Sequence, residues 1–164
     1  MKALCVVAHP DDCIIFAWPL IDNFPKFEWT ILYVTYNSIS DRGREITNFW
    51  HRRNIATMML GHNDTYLDMV NDKISFDTEL AKEQILSLSK NYDLLLTHDH
   101  LGDYGHIHHK FVHDAVIGCN KPIIHFANHE THNVIYVRKS KFDLSEIPLH
   151  KEVVEGFQNI EIGR

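Results

Sequence analysis

Short, nearly continuous apolar runs separated by longer stretches of helical periodicity restrict this chain to one class of architecture. Lys2–Ala8, Trp29–Tyr36, Asp93–Thr97, Pro122–Ala127 and Val134–Arg138 are rich in β-branched and aliphatic residues, the pattern of strands covered on both faces. Between them, Asp12–Phe24, Arg44–Gly61, Thr78–Tyr92 and His106–Gly118 carry apolar residues at helical spacing, with a last helix at Leu149–Phe157. Alternating strands and helices predict an α/β fold with a mostly parallel sheet sandwiched by helices. Asp77 is the expected N-cap of the third helix, and Gly61 and Gly118 the expected ends of the second and fourth. Pro19 removes a backbone donor and clashes one turn back, which predicts a kink or early stop near Trp18. The polar Asn37–Gly43 and acidic Asn63–Asp72 read as loops, and Trp50, Met58 and Met59 as core residues of the second helix.

At 164 residues, 45% of them hydrophobic, the chain suits one domain spanning 1–164 with a single well-buried core. A formal charge of −6 and the lack of a basic stripe argue against a nucleic-acid partner and favour a neutral or cationic small molecule. Cys5, Cys13 and Cys119 are widely spaced and form no Cys-x-x-Cys pair, so a disulfide framework is not expected and a reducing cytoplasm is. The five-residue apolar run at the N-terminus is too short for a signal peptide or a membrane span. The 13 histidines, nine of them crowded between His98 and His132, are the outlying value.

Two of those histidine-bearing segments belong together. Ala8-His9-Pro10-Asp11-Asp12 leaves the carboxyl end of the first strand, and Asp99–Gly105 leaves the strand Leu94-Leu95-Leu96 in the same sense. In a doubly wound sheet ligands bind outside the carboxyl ends of the strands, so the two loops are expected to converge there. His106 and His109, three apart at a helix start, share a face. His9, Asp12 and His109 are the expected ligands of a divalent cation, Zn²⁺ with Fe²⁺ or another divalent ion as the alternative. Three protein ligands leave a position for water, whose pKa a bound zinc lowers from ~15.7 to ~7. Asp11 is then the general base. His106 is the oxyanion stabiliser and the acid for a leaving amine, with Tyr104 as a second hydrogen-bond donor.

Ala8–Asp12 together with Gly102-Asp103-Tyr104-Gly105-His106-Ile107-His108-His109 resembles the LmbE-like (PIG-L) family of metal-dependent deacetylases. The resemblance extends loosely to Asp143–Gln158, as the closing Asp-x-Ser, Lys and Gln pattern. It implies a Rossmann-like three-layer sandwich that removes an N-acetyl group from an N-acetylglucosamine-type conjugate. It also implies His9, Asp12 and His109 as metal ligands, Asp11 as base, and Tyr104 and His106 on the oxyanion side. Three departures stand out. Cys13 replaces the family's usual Glu, Phe16 to Pro19 replace its Gly-rich helix start, and His108 replaces the Asp between the motif imidazoles. That Asp would orient an active-site His, so either Asp99 or Asp103 supplies the charge instead or activity is reduced or its pH optimum shifted, with Asp99 and His108 behind the ligands and Asp103 also a candidate substrate contact. The family's Arg-x-x-Glu is blurred too. Arg42, Arg44, Arg52 and Arg53 could each grip sugar hydroxyls, and Arg44 is preferred.

Plainer roles compete at several positions. Asp12 could simply cap a helix, His113 reads better as part of a polar stripe than as a ligand, and Cys13 has no cationic neighbour to make it a nucleophile. His129 and His132 suggest a loop at the pocket rim. The expected partner is a small aminosugar. The short chain points to a compact substrate or to a homo-oligomer whose neighbouring subunit completes the site. Two alternatives to aminosugar deacetylation are an amidase acting on a non-sugar acylated amine and a catalytically weak metal-containing domain that binds a sugar or protein.

Overall fold

The computed structural model describes residues 1–126 and 140–158, with the backbone of Asn128–His129 and Val134–Ile135. Strands β1 (Lys2–Val7), β2 (Glu28–Thr35), β3 (Ala56–His62), β4 (Leu94–Thr97) and β5 (Ile123–His125) form one parallel sheet in the order β3-β2-β1-β4-β5. The central strand β1 is apolar on both faces, as its residue pattern requires. Ala3, Cys5 and Val7 pack on one side with Ile14, Phe16, Ile46, Phe49 and Trp50. Leu4, Val6 and Ala8 pack on the other with Ala81, Ile85, Val112 and Val116. Two helical layers follow from that alternation. One contains α1 (Trp18–Asn23), α2 (Asp41–His51) and α7 (Pro148–Gln158), and the other α4 (Thr78–Ser89) and α6 (Ile107–Ile117), the last preceded by the one-turn α5 (Gly102–Gly105). The Rossmann-like α/β sandwich is therefore the observed architecture.

The first helix breaks where Pro19 requires it. A π-helical segment, Cys13–Ala17, gives way to α1 at Trp18, with the proline in the first turn where no backbone donor is needed. Asp77 caps α4 as expected, its side chain accepting from Leu80 N–H at 3.0 Å.

The expected helix Arg44–Gly61 is wrong in its second half. Helix α2 starts earlier, where Ser40 Oγ accepts from Gly43 N–H at 3.1 Å, and ends at His51. Asn54 then takes φ 58°, a left-handed turn, and β3 follows as the edge strand beside β2. Met58, Met59 and Leu60 favour helices as free side chains; pairing with β2 overrides that preference. Gly61 lies inside β3 and ends no helix. The Asn63–Asp72 loop contains a further helix, α3 (Tyr66–Asn71), capped by Thr65. Val134–Ile135 pairs antiparallel with Asn128–His129, outside the main sheet; the rest of the expected strand to Arg138, like the side chains of His129 and His132, lies outside the described residues. Among the described residues no helix is long and apolar enough to cross a membrane.

Candidate metal centre

The order of strands reverses between β1 and β4, and the two loops leaving their carboxyl ends meet over that crevice. Three atoms face one another there. His9 Nδ1 lies 3.2 Å from His109 Nε2 and 3.3 Å from Asp12 Oδ2, and His109 Nε2 lies 3.3 Å from Asp12 Oδ2. Bonds of about 2.0–2.1 Å at the tetrahedral angle separate neighbouring donors by roughly 3.3–3.4 Å, so this triangle has the size of one face of a zinc coordination sphere.

Hydrogen placement leads to the same conclusion. His109 Nδ1 donates to Asp103 Oδ2 at 2.8 Å, which leaves a lone pair on Nε2. Asp68 Oδ2 already accepts from the N–H and hydroxyl of Ser75, so the His108 Nε2 atom 2.7 Å away must be a donor. A neutral His108 then accepts at Nδ1 from His9 Nε2, 3.0 Å distant, leaving the lone pair of His9 on Nδ1. Two ring lone pairs and a carboxylate converge within 3.3 Å, an arrangement that is repulsive without a cation or proton among them. The residues therefore fit a divalent ion with two nitrogens and one oxygen.

Three overlapping groups of donors are less free; in one, His9 Nε2 and His108 Nδ1 near Asp64 already face each other at 3.0 Å. His98, His109 and Asp12 also approach one another, but His98 Nε2 accepts the backbone N–H of Ala8 at 3.1 Å. His106 lies near His9 and His109, yet it caps α6, its Nδ1 accepting from His108 N–H at 3.1 Å. Its Nε2 therefore carries a proton as a neutral donor. Burial and the neighbouring rings of His9, His109 and His108 push the His106 pKa down to about 3, so the ring is uncharged at neutral pH.

Asp11 and Asp12 are adjacent but chemically unlike. Burial raises the Asp12 pKa, but the facing His109 and His9 outweigh it and hold the carboxyl well below the usual range. Asp11 is raised by burial and by Asp12, against the lowering effects of His9 and Arg42. Arg42 Nη2 stands 3.7 Å from Asp11 Oδ1 and its Nη1 donates to Tyr36 Oη at 3.2 Å. Tyr104 stacks on Phe16 and lies edge-on to His106 and His109; burial and nearby carboxylates push its phenol up, so it is a neutral hydroxyl.

Several expected roles do not survive these positions. Arg44 is exposed and pairs with Asp41; Arg42 is the guanidinium that faces the site. Asp103 is too buried for substrate contact, because its Oδ2 accepts from both His98 Nδ1 and His109 Nδ1. Among the described residues Asp99 makes no hydrogen bond or ion pair with an imidazole; its Oδ1 accepts from Leu101 N–H at 2.7 Å and Asp103 N–H at 3.1 Å. Those bonds support Asp103 at φ 62°, ψ −70°, a strained γ-turn geometry costing on the order of 1–3 kcal/mol. Gly102 precedes it at φ 70°, and a Cβ there would also fall 2.8 Å from Lys110 Cγ. Cys13, which the sequence did not favour as a nucleophile, has its thiol pushed up by burial. His113, read from the sequence as part of a polar stripe rather than as a ligand, donates to the His98 carbonyl at 3.1 Å.

Asp64, Asp68 and His98 complete the site but carry no motif in the sequence. Asp64 Oδ1 lies 3.6 Å from His9 Nε2 and 3.7 Å from His108 Nδ1. His98 had one signal, its place immediately after β4, level with the end of β1. A cavity of about 580 Å³ lined by Trp18, Phe27, Trp29 and Phe142 lies where β2 begins, at the opposite end of the sheet, and none of the site residues lines it.

The chain is 26% identical over 150 residues to an uncharacterized protein of Acanthamoeba polyphaga mimivirus, covering 80% of this chain and 63% of that relative's length. Among solved structures it resembles a deacetylase of the teicoplanin biosynthesis pathway, with a TM-score of 0.59 at 12% identity, covering 96% of this chain and 84% of the other. It also resembles GalB, the 4-carboxy-2-hydroxymuconate hydratase of Pseudomonas putida, with a TM-score of 0.57 at 13% identity, covering 98% and 79%. These likenesses establish a shared fold. The sequence profile described as PIG-L, GlcNAc-PI de-N-acetylase, matches residues 4–120, most of the chain and both loops of the site, and the protein belongs to that family.

Proposed function

We propose that the protein is a metal-dependent N-deacetylase acting on an N-acetylglucosamine-type sugar or sugar conjugate. The observation that carries this reading is the 3.2–3.3 Å triangle of His9 Nδ1, Asp12 Oδ2 and His109 Nε2 with a second carboxylate, Asp11, beside it. Family membership favours an acetamido sugar over other amides.

A zinc or similar ion bound by these three side chains would supply Lewis acidity toward water and the acetyl carbonyl. Asp11 takes the proton from the attacking water as the carbon–oxygen bond forms. Its raised pKa makes it a stronger base than an ordinary carboxylate, while Arg42 keeps the ionised form accessible. The developing oxyanion accepts hydrogen bonds from His106 Nε2 and the Tyr104 hydroxyl, both neutral donors. A neutral His106 has no spare proton for the amine, so Asp11 returns the one it took as the carbon–nitrogen bond breaks. Acetate and a free amine result.

The test is acetate release from a panel of N-acetyl aminosugars, with metal content measured on the same samples. Asp11→Asn is expected to keep its zinc and lose about 10²–10⁴ in rate. Wild-type protein that releases acetate from none of the sugars, or an Asp11→Asn variant of undiminished rate, contradicts the proposal.

A further inference from the structure

We infer that Asp68, on a helix outside both sequence motifs, is a positioning residue that acts through His108 to present His9 Nδ1 to the cation; this rests on the metal-binding reading above. The chain of contacts has a direction. Asp68 Oδ2 accepts at 2.7 Å from His108 Nε2, and His108 Nδ1 lies 3.0 Å from His9 Nε2. If the protons ran the other way, His108 would aim a lone pair at an ionised carboxylate, which electrostatics forbids. The carboxylate thus fixes one tautomer in each of two rings, the second of which is a ligand.

Local structure supports a dedicated role for Asp68. It is the one buried residue of α3, while its neighbours Tyr66 and Val70 are 77% and 70% exposed. Ser75 donates to the same Oδ2 through its N–H and hydroxyl, at 3.1 and 3.2 Å, which holds that oxygen where His108 meets it. Helix α3 also meets the start of α6 through Ile107 N–H and Met69 Sδ, 3.4 Å apart. His108 is fully buried between them and lies in contact with Phe76. An imidazole with its outer N–H held by a carboxylate is a recurrent support for metal-binding histidines; here it is one ring removed from the ligand. With a histidine at position 108, α3 provides a supporting charge one ring farther out at 2.7 Å from His108, whereas Asp64 Oδ1, 3.6 Å from His9 Nε2, stands beyond hydrogen-bond distance of the ring.

Zinc affinity is measured by chelator competition, and ring tautomers by long-range ¹H–¹⁵N spectra of the metal-free protein. Asp68→Ala is expected to weaken zinc binding about 10–100-fold, with Asp68→Asn in between because its amide oxygen still accepts. In a His108→Ala background the Asp68→Ala change should add less than about twofold, since the two act as one unit. Thr65→Ala loosens the α3 cap without touching a ring and should leave zinc affinity within about twofold of wild type. The metal-free wild type should show His9 protonated on Nε2, and Asp68→Ala or His108→Ala should redistribute that proton, with Asp68→Asn redistributing it in part. Additive losses, unchanged affinity in the Asp68 variants, or a His9 proton on Nδ1 in wild type would overturn the inference. Should Asp68→Ala not fold, Asp68→Asn and the tautomer decide it. Wild-type protein that binds no zinc would instead refute the metal-binding reading, and the His9 tautomer would still decide the relay.

Discussion

The two imidazole ligands are supported in contrasting ways. His109 belongs to a self-contained wall: Asp99 shapes the loop, the strained Asp103 accepts directly from His109 Nδ1, and all three lie within eleven residues of sequence. His9 belongs to a wall assembled from distant parts, with Asp68 of α3 acting through His108 and Arg42 of α2 facing the neighbouring Asp11. The physical requirement is identical on both sides: one ring nitrogen must carry a proton so that the other can offer a lone pair. A short strained loop meets it with one carboxylate, whereas the open wall needs three elements to hold their places.

The largest effect is expected from breaking the self-contained wall. Burial opposes the charge on Asp103, but His98 and His109 more than compensate and bring its pKa down to about 2. A carboxyl depressed in the fold adds stability in full above its unfolded pKa near 4 and loses it as pH falls through about 2. Asp103→Asn should therefore cost on the order of 2 kcal/mol at pH 7, with the difference from wild type vanishing toward pH 2 in denaturant titrations. A difference that persists at pH 2 would mean that the loop fails for another reason, such as the γ-turn itself.

The assembled wall should yield more gradually. Arg42→Met removes a positive charge 3.7 Å from Asp11, so the Asp11 pKa rises further and the acid limb of the rate–pH profile moves to higher pH. At a pH on that limb the rate should drop severalfold, with little change on the plateau. Arg44→Ala, which loses only the exposed pair with Asp41, should leave the profile in place and stability within about 0.5 kcal/mol of wild type. Equal effects from the two arginines would remove the distinction between them.

How legible each wall is in the sequence follows from the same difference. β1 running into His9–Asp12, and β4 running into the Asp99–His109 loop, combine an apolar run with closely spaced functional residues, and both the parallel sheet and the meeting of the loops follow from them. Asp103 was visible as part of that loop, but its burial was not, because a positive φ at a non-glycine residue leaves no mark in composition. Asp64 and Asp68 were hidden in an acidic stretch whose short helix buries one residue, the carboxylate of Asp68, too little apolar pattern to announce it. β3 was missed because Met58, Met59 and Leu60 suit a helix, and only the neighbouring β2 makes them a strand. Arg42 and Arg44 differ by two positions on α2, which turns one toward Asp11 and the other toward solvent. Choosing between them required the phase of a helix whose start at Ser40 lay inside an expected loop.

A crystal structure of zinc-loaded protein, with the metal located by anomalous scattering, tests the central claim most directly. The expected result is one ion about 2.0–2.1 Å from His9 Nδ1, Asp12 Oδ2 and His109 Nε2. An ion between His9 Nε2, His108 and Asp64, or no ion within bonding reach of His109, would contradict it.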